Sequence, residues 1–538
     1  MSSKIKLGLI LIVISVFTIS FFQPQAPTFL SIEKNTKIAL VGGNLGSRMI
    51  NYDHFETELH LRYPENNLMV RNMCDGGDTP GFRPHSARFA PWAFPGAEKF
   101  QSEFANPSQS EGHIETHDQW MSRLKMDVVI GFFGYSESYE GKANIANYKA
   151  ELEAFIMHTL AQKYNGVSAP QLAIVSPTAF ENLSAKIDLP NGTVQNANMA
   201  LYAQAMKEVC EKNNVLFINA FDASKKWYAE SKEDLTIDGF QLNNAGYKKL
   251  SLFLADQVFG KKKPAIESKR ADVYAAVEEK NWIWHTDFKI PNGVHVYGRR
   301  YNPFGPDNYP AEIEKIRQMT DNREAAIQAA IKGLPYDLAA ADAKTRKLDP
   351  VKTNFNPDQN GSLKYLYGEE ALSAIKVAQG YKIELFASEE EFPNLAKPVQ
   401  MTFDNKGRLW VVCMPSYPHY KPGDPKPNDK IIILEDTNQD GKADKETIFA
   451  EGLHVPVGME ITEHGVFVSQ GTNLVLLKDT NGDDHADTKE VILSGFDDHD
   501  THHEISAFVT DESGAIYMGE GVFLHTNVET PYGTVRAT

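Results

Sequence analysis

The stretch Ile38–Met49, IALVGGNLGSRM, runs from an apolar strand through a glycine turn into the start of a helix. Four later apolar runs have the same strand character: NLMVRNM, MDVVIGFFG, QLAIVSP and NVLFINAF. Between them apolar residues recur at helical spacing, as in Leu201, Ala205 and Val209. Because strands alternate with helices, residues 36–260 are predicted to form a three-layer α/β domain with a parallel, flavodoxin-type sheet.

Four short blocks, in order along the chain, resemble the SGNH/GDSL hydrolase family. The turn reads Gly42-Gly43-Asn44-Leu45, where the family carries its serine as Gly-Asp-Ser-Leu. The later blocks are NMCDGGDT, FGYSES and DGFQLNNAGY. The resemblance implies a site, here called the degenerate site, made of Asn44, Gly77 (or its neighbour Gly76), Ser136, Asp238 and Gln241.

The residue types at the degenerate site predict loss of esterase chemistry. Asn44 has no hydroxyl and cannot form an acyl-enzyme. Gln241 stands where the family has histidine, and an amide cannot act as a general base. Ser136 stands where the family has an oxyanion-hole asparagine. The domain is therefore predicted to bind a glycan or an ester-bearing polymer, or to pack on its neighbour. The alternative is a hydrolase of altered mechanism that uses Ser136, Ser47 or a nearby histidine.

Two histidines in the same region, His113 and His117, have a spacing that would place both on one helix face. No third ligand is evident nearby, so they are expected to be ordinary histidines rather than a metal site.

The rest of the chain changes character twice. Residues 261–375 are predicted to form a helical connector with an ordered arm, VYGRRYNPFGPDNYP. From residue 376 to 538 short strands repeat with a period of about 43 residues, which is typical of propeller blades. About two and a half blades are visible against about four to eight in closed propellers. An incomplete all-β propeller is predicted, and with it a fragment of a longer protein.

Each predicted blade carries an acidic loop with oxygen side chains at alternate positions, the pattern that calcium prefers. The expected ligands are Asp436, Asn438, Asp440 and Asp444 in the first loop, and Asp479, Asn481, Asp483 and Asp487 in the second. A structural calcium ion in each loop is predicted. The alternative is an Asx turn without an ion.

The segment DDHDTHHEISAFVTDESGAIYMGEG follows the second loop. With the repeats before it, it resembles the membrane-bound dehydrogenases of planctomycete-type bacteria, which are related to quinoprotein glucose and sorbosone dehydrogenases. That resemblance implies a six-bladed propeller, pyrroloquinoline quinone as cofactor, and His503 as the base that removes the substrate hydroxyl proton, with His502 as the fallback. It also implies a c-type cytochrome partner or module, although the chain has no Cys-x-x-Cys-His motif and hence no haem site of its own.

The net charge and the N-terminal sequence limit the possible partners and location of the protein. The formal net charge of -17 disfavours nucleic acid as a partner. Residues 1–29 hold Lys4 and Lys6 before an uncharged apolar run, which predicts a signal peptide or an uncleaved anchor. Export to the periplasm or cell envelope is expected, with no other membrane contact. Three functions stay open: a dehydrogenase-like protein acting on a sugar or polyol, a carbohydrate esterase, and a non-catalytic envelope glycan-binding protein.

Overall fold

Five parallel strands build the central sheet of the N-terminal region in the order β2-β1-β3-β4-β5. The structure, a computed structural model, describes residues 26–85, 88, 91–101, 115–295, 305–350, 365–418, 420–522 and 524–536. The strands are β1 (Lys37–Gly42), β2 (Met69–Asn72), β3 (Val128–Phe132), β4 (Gln171–Val175) and β5 (Leu216–Ile218). They coincide with the five apolar runs, and the predicted parallel α/β sheet is confirmed.

Alternate residues of the sheet enter two different cores. Ile38 and Leu40 of β1 pack on one face with Val128 of β3, whereas Ala39 packs on the other face with Val129. Both faces are therefore covered, as expected for strands that are apolar throughout. The sheet is the middle of three layers.

Helices cover both faces of this sheet and continue beyond it. In the α/β region they are α1 (Asn44–Ser47), α2 (His54–Arg62), α3 (His117–Leu124), α4 (Tyr135–Ser138), α5 (Ile145–Ala161), α6 (Thr193–Lys212), α7 (Ala220–Glu230) and α8 (Asn244–Phe259). The following segment holds α9 (Arg270–Lys289), α10 (Gly305–Lys332), α11 (Leu338–Asp342) and α12 (Gly368–Ala374). Ala205 and Val209 of α6 are buried as their spacing predicts, whereas Leu201 at the same spacing is 40% exposed.

Helix α9 fastens the segment after the α/β domain to that domain. Lys280 is fully buried, and its Nζ lies 2.7 Å from an oxygen of Glu56 in α2. Trp284 donates its indole N–H to the carbonyl of Asn72, at the end of β2. Part of the predicted arm, residues 296–304, lies outside the described residues.

The C-terminal region consists of antiparallel sheets, which confirms its predicted all-β character, whereas the propeller stays a prediction. One four-stranded sheet contains β6 (Pro398–Phe403), β7 (Leu409–Cys413), β8 (Asp429–Glu435) and β9 (Lys445–Leu453). The second contains β10 (Met459–Thr462), β11 (Gly465–Gln470), β12 (Asn473–Lys478) and β13 (Thr488–Ser494). Two strand pairs follow, β14 (Ala507–Thr510) with β15 (Ile516–Gly519), and β16 (Asn527–Thr530) with β17 (Gly533–Arg536).

The two four-stranded sheets share an apolar core. Trp410 and Ile431 of the first sheet pack with Val468 and Val475 of the second. Each predicted acidic loop joins the third and fourth strands of its sheet, so the sequence repeat corresponds to one repeated four-stranded unit.

The predicted N-terminal segment falls almost wholly outside the described residues, as does His113. Within the described part of the chain, no helix combines the length and the apolar character needed to span a membrane.

Candidate functional site

The degenerate site lies at the carboxyl ends of the parallel strands, where ligands bind in open α/β sheets. Asn44 is the first residue of α1, directly after the β1 turn, and Gly77 lies in the loop after β2. Ser136 lies in α4 after β3, and Asp238 and Gln241 come from the loop before α8. The fold brings these residues together around the C-terminal hairpin, β16 to β17.

The turn that carries Asn44 depends on glycine. Gly42 has a φ of +118°, and a Cβ atom there would lie 2.1 Å from the carbonyl oxygen of Phe132 on the neighbouring strand β3. Only glycine tolerates both the backbone conformation and the close approach. Gly42 is therefore required by the turn that places Asn44 at the start of α1.

Glu529 of the C-terminal hairpin fills the centre of the degenerate site. Its Oε1 atom accepts the backbone N–H groups of Asn44 and of Gly77, each with an N···O distance of 2.9 Å. The residue is 1% exposed. Two N–H donors that converge on one oxygen at about 2.7–3.1 Å have the geometry of an oxyanion hole. A carboxylate of the chain itself thus occupies this pair of N–H donors.

Two amides of the degenerate site, those of Asn44 and Gln241, are hydrogen-bonded to each other. Asn44 donates from Nδ2 to Oε1 of Gln241 over 2.9 Å. Gln241 in turn donates from Nε2 to the backbone carbonyl of Glu529 over 2.6 Å. Asp238 accepts the backbone N–H groups of Phe240 and Gln241, so it closes a turn. The amides of Asn44 and Gln241 thus connect the turn after β1 to the backbone of the hairpin.

The second strand of the hairpin, β17, continues these contacts. The hydroxyl of Thr534 donates to the hydroxyl of Ser136 over 2.7 Å. Arg536 donates from one nitrogen to the carbonyl of Gly77 over 2.7 Å. Ser136, which the sequence left open as a substitute nucleophile, is therefore hydrogen-bonded to the hairpin.

The fit between site and hairpin is close. A Cβ atom on Gly43 would lie 2.6 Å from Oε1 of Glu529, and one on Gly76 would lie 2.4 Å from the carbonyl oxygen of Asn527. The cavity that remains beside Glu529 has a volume of about 10 Å³. A single water molecule needs about 10–15 Å³ on this measure, so an acyl group has no room beside the docked hairpin.

Burial raises the pKa of Glu529 to about 7 from its ordinary value near 4.5. The N–H groups of Asn44 and Gly77, the charge of Arg536 and the hydroxyl of Ser136 act in the opposite direction. Burial outweighs them, because an ion loses most of its hydration there. The docked carboxyl group therefore changes its charge near neutral pH.

The acidic loops use their first carboxylates as backbone acceptors. Asp436 accepts the N–H of Gly441 over 2.8 Å, and Asp479 accepts the N–H of Gly482 over 2.6 Å. In the second loop Asp484 forms an ion pair with Arg408. Asn438 and Asn481 accept the N–H groups of Asp440 and Asp483 over 2.9 and 3.0 Å, which closes an Asx turn in each loop. Calcium binding there stays a prediction.

The histidine-rich segment lies in a different part of the C-terminal region. A short 3₁₀ turn, Thr501–His503, places His502 and His503 next to Asp500. Nδ1 of His502 lies 2.9 Å from Oδ1 of Asp500, and Nδ1 of His503 lies 3.5 Å from Oδ2. Asp500 is fully buried, whereas both imidazoles are partly exposed. Among the described residues, these three form a group whose nitrogen and oxygen atoms all lie within 4.8 Å of one another.

Further carboxylates surround this group. Burial raises the pKa of Glu504 well above its ordinary value, and nearby acidic side chains raise it further. Those acting on Glu504 are Asp498, Asp497, Glu520 and Asp500. Burial also raises the pKa of Asp498, and Lys289 of α9 acts in the opposite direction. Acidic side chains thus predominate among the groups that act on Glu504.

Comparison with known proteins gives one family match and several fold similarities. Residues 368–536 match the model of a domain of unknown function, DUF7133. No curated protein sequence matches the chain.

Three solved structures illustrate the fold similarities. An acetylxylan esterase from Geobacillus stearothermophilus is similar at 14% identity and a TM-score of 0.30, over 42% of this chain and 96% of its own. An alpha/beta hydrolase from the metagenome of Lake Arreo, Spain, is similar at 13% identity and a TM-score of 0.29, over 42% and 95% respectively. A gut microbial diltiazem-metabolizing enzyme is similar at 13% identity and a TM-score of 0.30, over 43% and 48%.

Sequence reasoning missed Glu529 and the hairpin that carries it. The segment NVETPYGTVR has strand-like residues on both sides of Pro-Tyr-Gly, which indicates a hairpin. Nothing local in that pattern indicates where the hairpin docks.

Proposed function

We propose that the N-terminal domain is a non-catalytic binding domain of the SGNH/GDSL type. Its degenerate site has become the receptor for the C-terminal hairpin of the same chain. The observation that carries this proposal is the hydrogen bonding of Glu529 to the backbone N–H groups of Asn44 and Gly77. An oxyanion hole that holds an internal carboxylate serves adhesion between two parts of the chain rather than turnover.

A second contact supports docking of the whole C-terminal region. Arg48, four residues after Asn44, is 1% exposed and donates to the carbonyl of Val491 over 2.7 Å and to the hydroxyl of Ser494 over 3.1 Å. Both acceptors belong to β13, so the turn that follows β1 binds a second element besides the hairpin. Charge-assisted hydrogen bonds of this kind are among the stronger polar contacts.

The chemistry of the site supports the same proposal. Asn44 provides no nucleophile and Gln241 provides no base, and the two amides are hydrogen-bonded to each other. The esterase alternative would have to recruit Ser136, whose hydroxyl already binds Thr534 of the hairpin.

The test is hydrolysis by the full-length chain. We expect no turnover of p-nitrophenyl acetate or acetylated xylooligosaccharides above the rate of a heat-denatured sample. Turnover that disappears in Ser136→Ala, but persists in Ser184→Ala, would overturn the proposal in favour of an altered esterase. Ser184 is a matched control because it is an exposed serine of the same domain.

A second candidate function is oxidation of a sugar or polyol. We propose that the C-terminal region carries out this reaction as part of an exported, dehydrogenase-like propeller. The observation that favours it is the pairing of His502 with buried Asp500, an arrangement that orients an imidazole for proton abstraction. A c-type cytochrome would then be the electron acceptor.

Pyrroloquinoline quinone does not fit the residues around these histidines. The quinone carries three carboxylates, and the cluster already contains five: Asp497, Asp498, Asp500, Glu504 and Glu520. Burial and the neighbouring acidic side chains already raise the pKa of Glu504, so three further carboxylates would be strongly disfavoured there. We therefore derive no step through the quinone at this position.

The dehydrogenase candidate is tested by dye reduction with glucose and sorbitol, with and without added quinone and Ca²⁺. Reduction that is lost in His503→Ala would support it. Absence of reduction under every condition would remove it.

A further inference from the structure

The acidic histidine cluster has the composition of a metal site rather than of a quinone site. Asp500, His502 and His503 each offer one ligand atom, and these atoms lie within 4.8 Å of one another. Two imidazole nitrogens and one carboxylate oxygen are the protein ligands of many zinc and non-haem iron centres. Calcium, in contrast, takes oxygen ligands, so this cluster differs in kind from the two acidic loops.

The local backbone holds the three side chains in place. The N–H of His503 donates to the carbonyl of Asp500 over 2.8 Å and closes the turn between them. Thr501 donates its hydroxyl to the carbonyl of Pro418 over 3.1 Å. A Cβ atom on Gly521 would lie 2.6 Å from His503, so the chain after β15 packs directly against this histidine. The cluster is therefore built into the packed structure and does not depend on a free loop.

A second observation points to a ligand that is positively charged. Glu504 is fully buried, and among the described residues neither of its side-chain oxygens has a hydrogen-bond partner. A buried carboxylate without hydrogen bonds is costly unless a cation compensates for it. It follows His503 directly in the chain, and Asp500 is among the carboxylates that act on it.

We propose that Asp500, His502 and His503 bind a divalent transition-metal cation, with buried Glu504 as a nearby counter-charge. The carboxylate of Asp500 approaches one nitrogen of each imidazole, at 2.9 and 3.5 Å, so it is positioned to share one ion with both. The partial exposure of His502 and His503 leaves the outer side of the ion open to solvent or to a small ligand. The borderline character of imidazole favours zinc, cobalt or iron over magnesium.

Cobalt(II) is the most informative probe, because its visible absorption reports coordination directly. The full chain, stripped of metal with a chelator, is titrated with Co²⁺ in excess Ca²⁺, which occupies any calcium sites in the acidic loops. We expect one tightly bound equivalent with d–d absorption bands, displaced by Zn²⁺. Asp500→Asn and His503→Ala are expected to weaken binding by at least about 100-fold.

His464→Ala is the matched control, because that histidine lies in the turn between β10 and β11 with its side chain 70% exposed. It should bind Co²⁺ as the unchanged chain does. Asp500→Asn keeps the side-chain volume, and its far-UV circular dichroism must match that of the unchanged chain before its affinity is compared. Equal Co²⁺ affinity in the unchanged chain and in both cluster variants would overturn the proposal, as would a chain that binds no Co²⁺.

Discussion

Removal of the Glu529 carboxylate tests the docking interaction most directly. In Glu529→Ala the backbone N–H groups of Asn44 and Gly77 lose their common acceptor while they stay buried. A buried donor without a partner costs about 1–3 kcal/mol, so docking should weaken by about 2–6 kcal/mol. Glu529→Gln keeps an amide oxygen at the same place and should cost less than about 1.5 kcal/mol.

Hydrogen–deuterium exchange of the full chain measures this loss locally. Because about 1.4 kcal/mol corresponds to a factor of ten, amides in peptides that contain Asn44 or Gly77 should exchange at least about tenfold faster in Glu529→Ala. Glu512→Ala is the control, since Glu512 is an exposed glutamate in the turn between β14 and β15. Exchange in Glu529→Ala that equals exchange in the control would refute the docking argument.

The pH dependence of docking gives an independent check on the same contact. The pKa of Glu529 is raised to about 7 by burial, so the docked state binds a proton more tightly than the undocked state does. Docking is therefore strongest below pH of about 4.5 and weakens as the pH rises through 7. The full effect is on the order of 3 kcal/mol. Glu529→Gln should remove this pH dependence, and a pH profile identical to that of the unchanged chain would contradict the assignment to Glu529.

Three further outcomes are expected. Lys280→Met should destabilise the chain by about 3–5 kcal/mol in chemical denaturation, because it leaves the carboxylate of Glu56 buried without its cation. Burial opposes ionisation of Glu56, but Lys280 helps to lower its pKa to about 2. The contribution of this ion pair to the stability of the chain should therefore persist above pH of about 4.5 and be lost as the pH falls toward 2. Asn44→Ser should show no esterase activity, since the restored hydroxyl still lacks a base and the hairpin still fills the site; measurable turnover would contradict this. If the acidic loops bind calcium, Ca²⁺ should raise the melting temperature, and Asp436→Asn combined with Asp479→Asn should abolish that increase.

Local periodicity predicted the elements of the fold well, because burial of a strand depends mainly on its own side chains. Residues 38–41 are all apolar, and their side chains alternate between the two cores on opposite faces of the sheet. The helix spacing was less reliable. From Leu201 to Val209 the pattern advances by four residues at a time, and each step turns about 40° beyond a full helical turn. Leu201 therefore points to solvent although Val209 is buried.

The sequence alone determined the side-chain chemistry of the degenerate site: Asn44 and Gln241 are amides, and the resemblance to SGNH/GDSL hydrolases predicts a hydroxyl and an imidazole at these positions. Only the tertiary structure decided what the site holds instead. The bond between Asn44 and Glu529 joins residues 485 positions apart, and no local pattern encodes a contact at that separation. The approach of His502 and His503 to Asp500 likewise depends on the 3₁₀ turn. Adjacent residues point in the same direction only where the backbone conformation turns them that way.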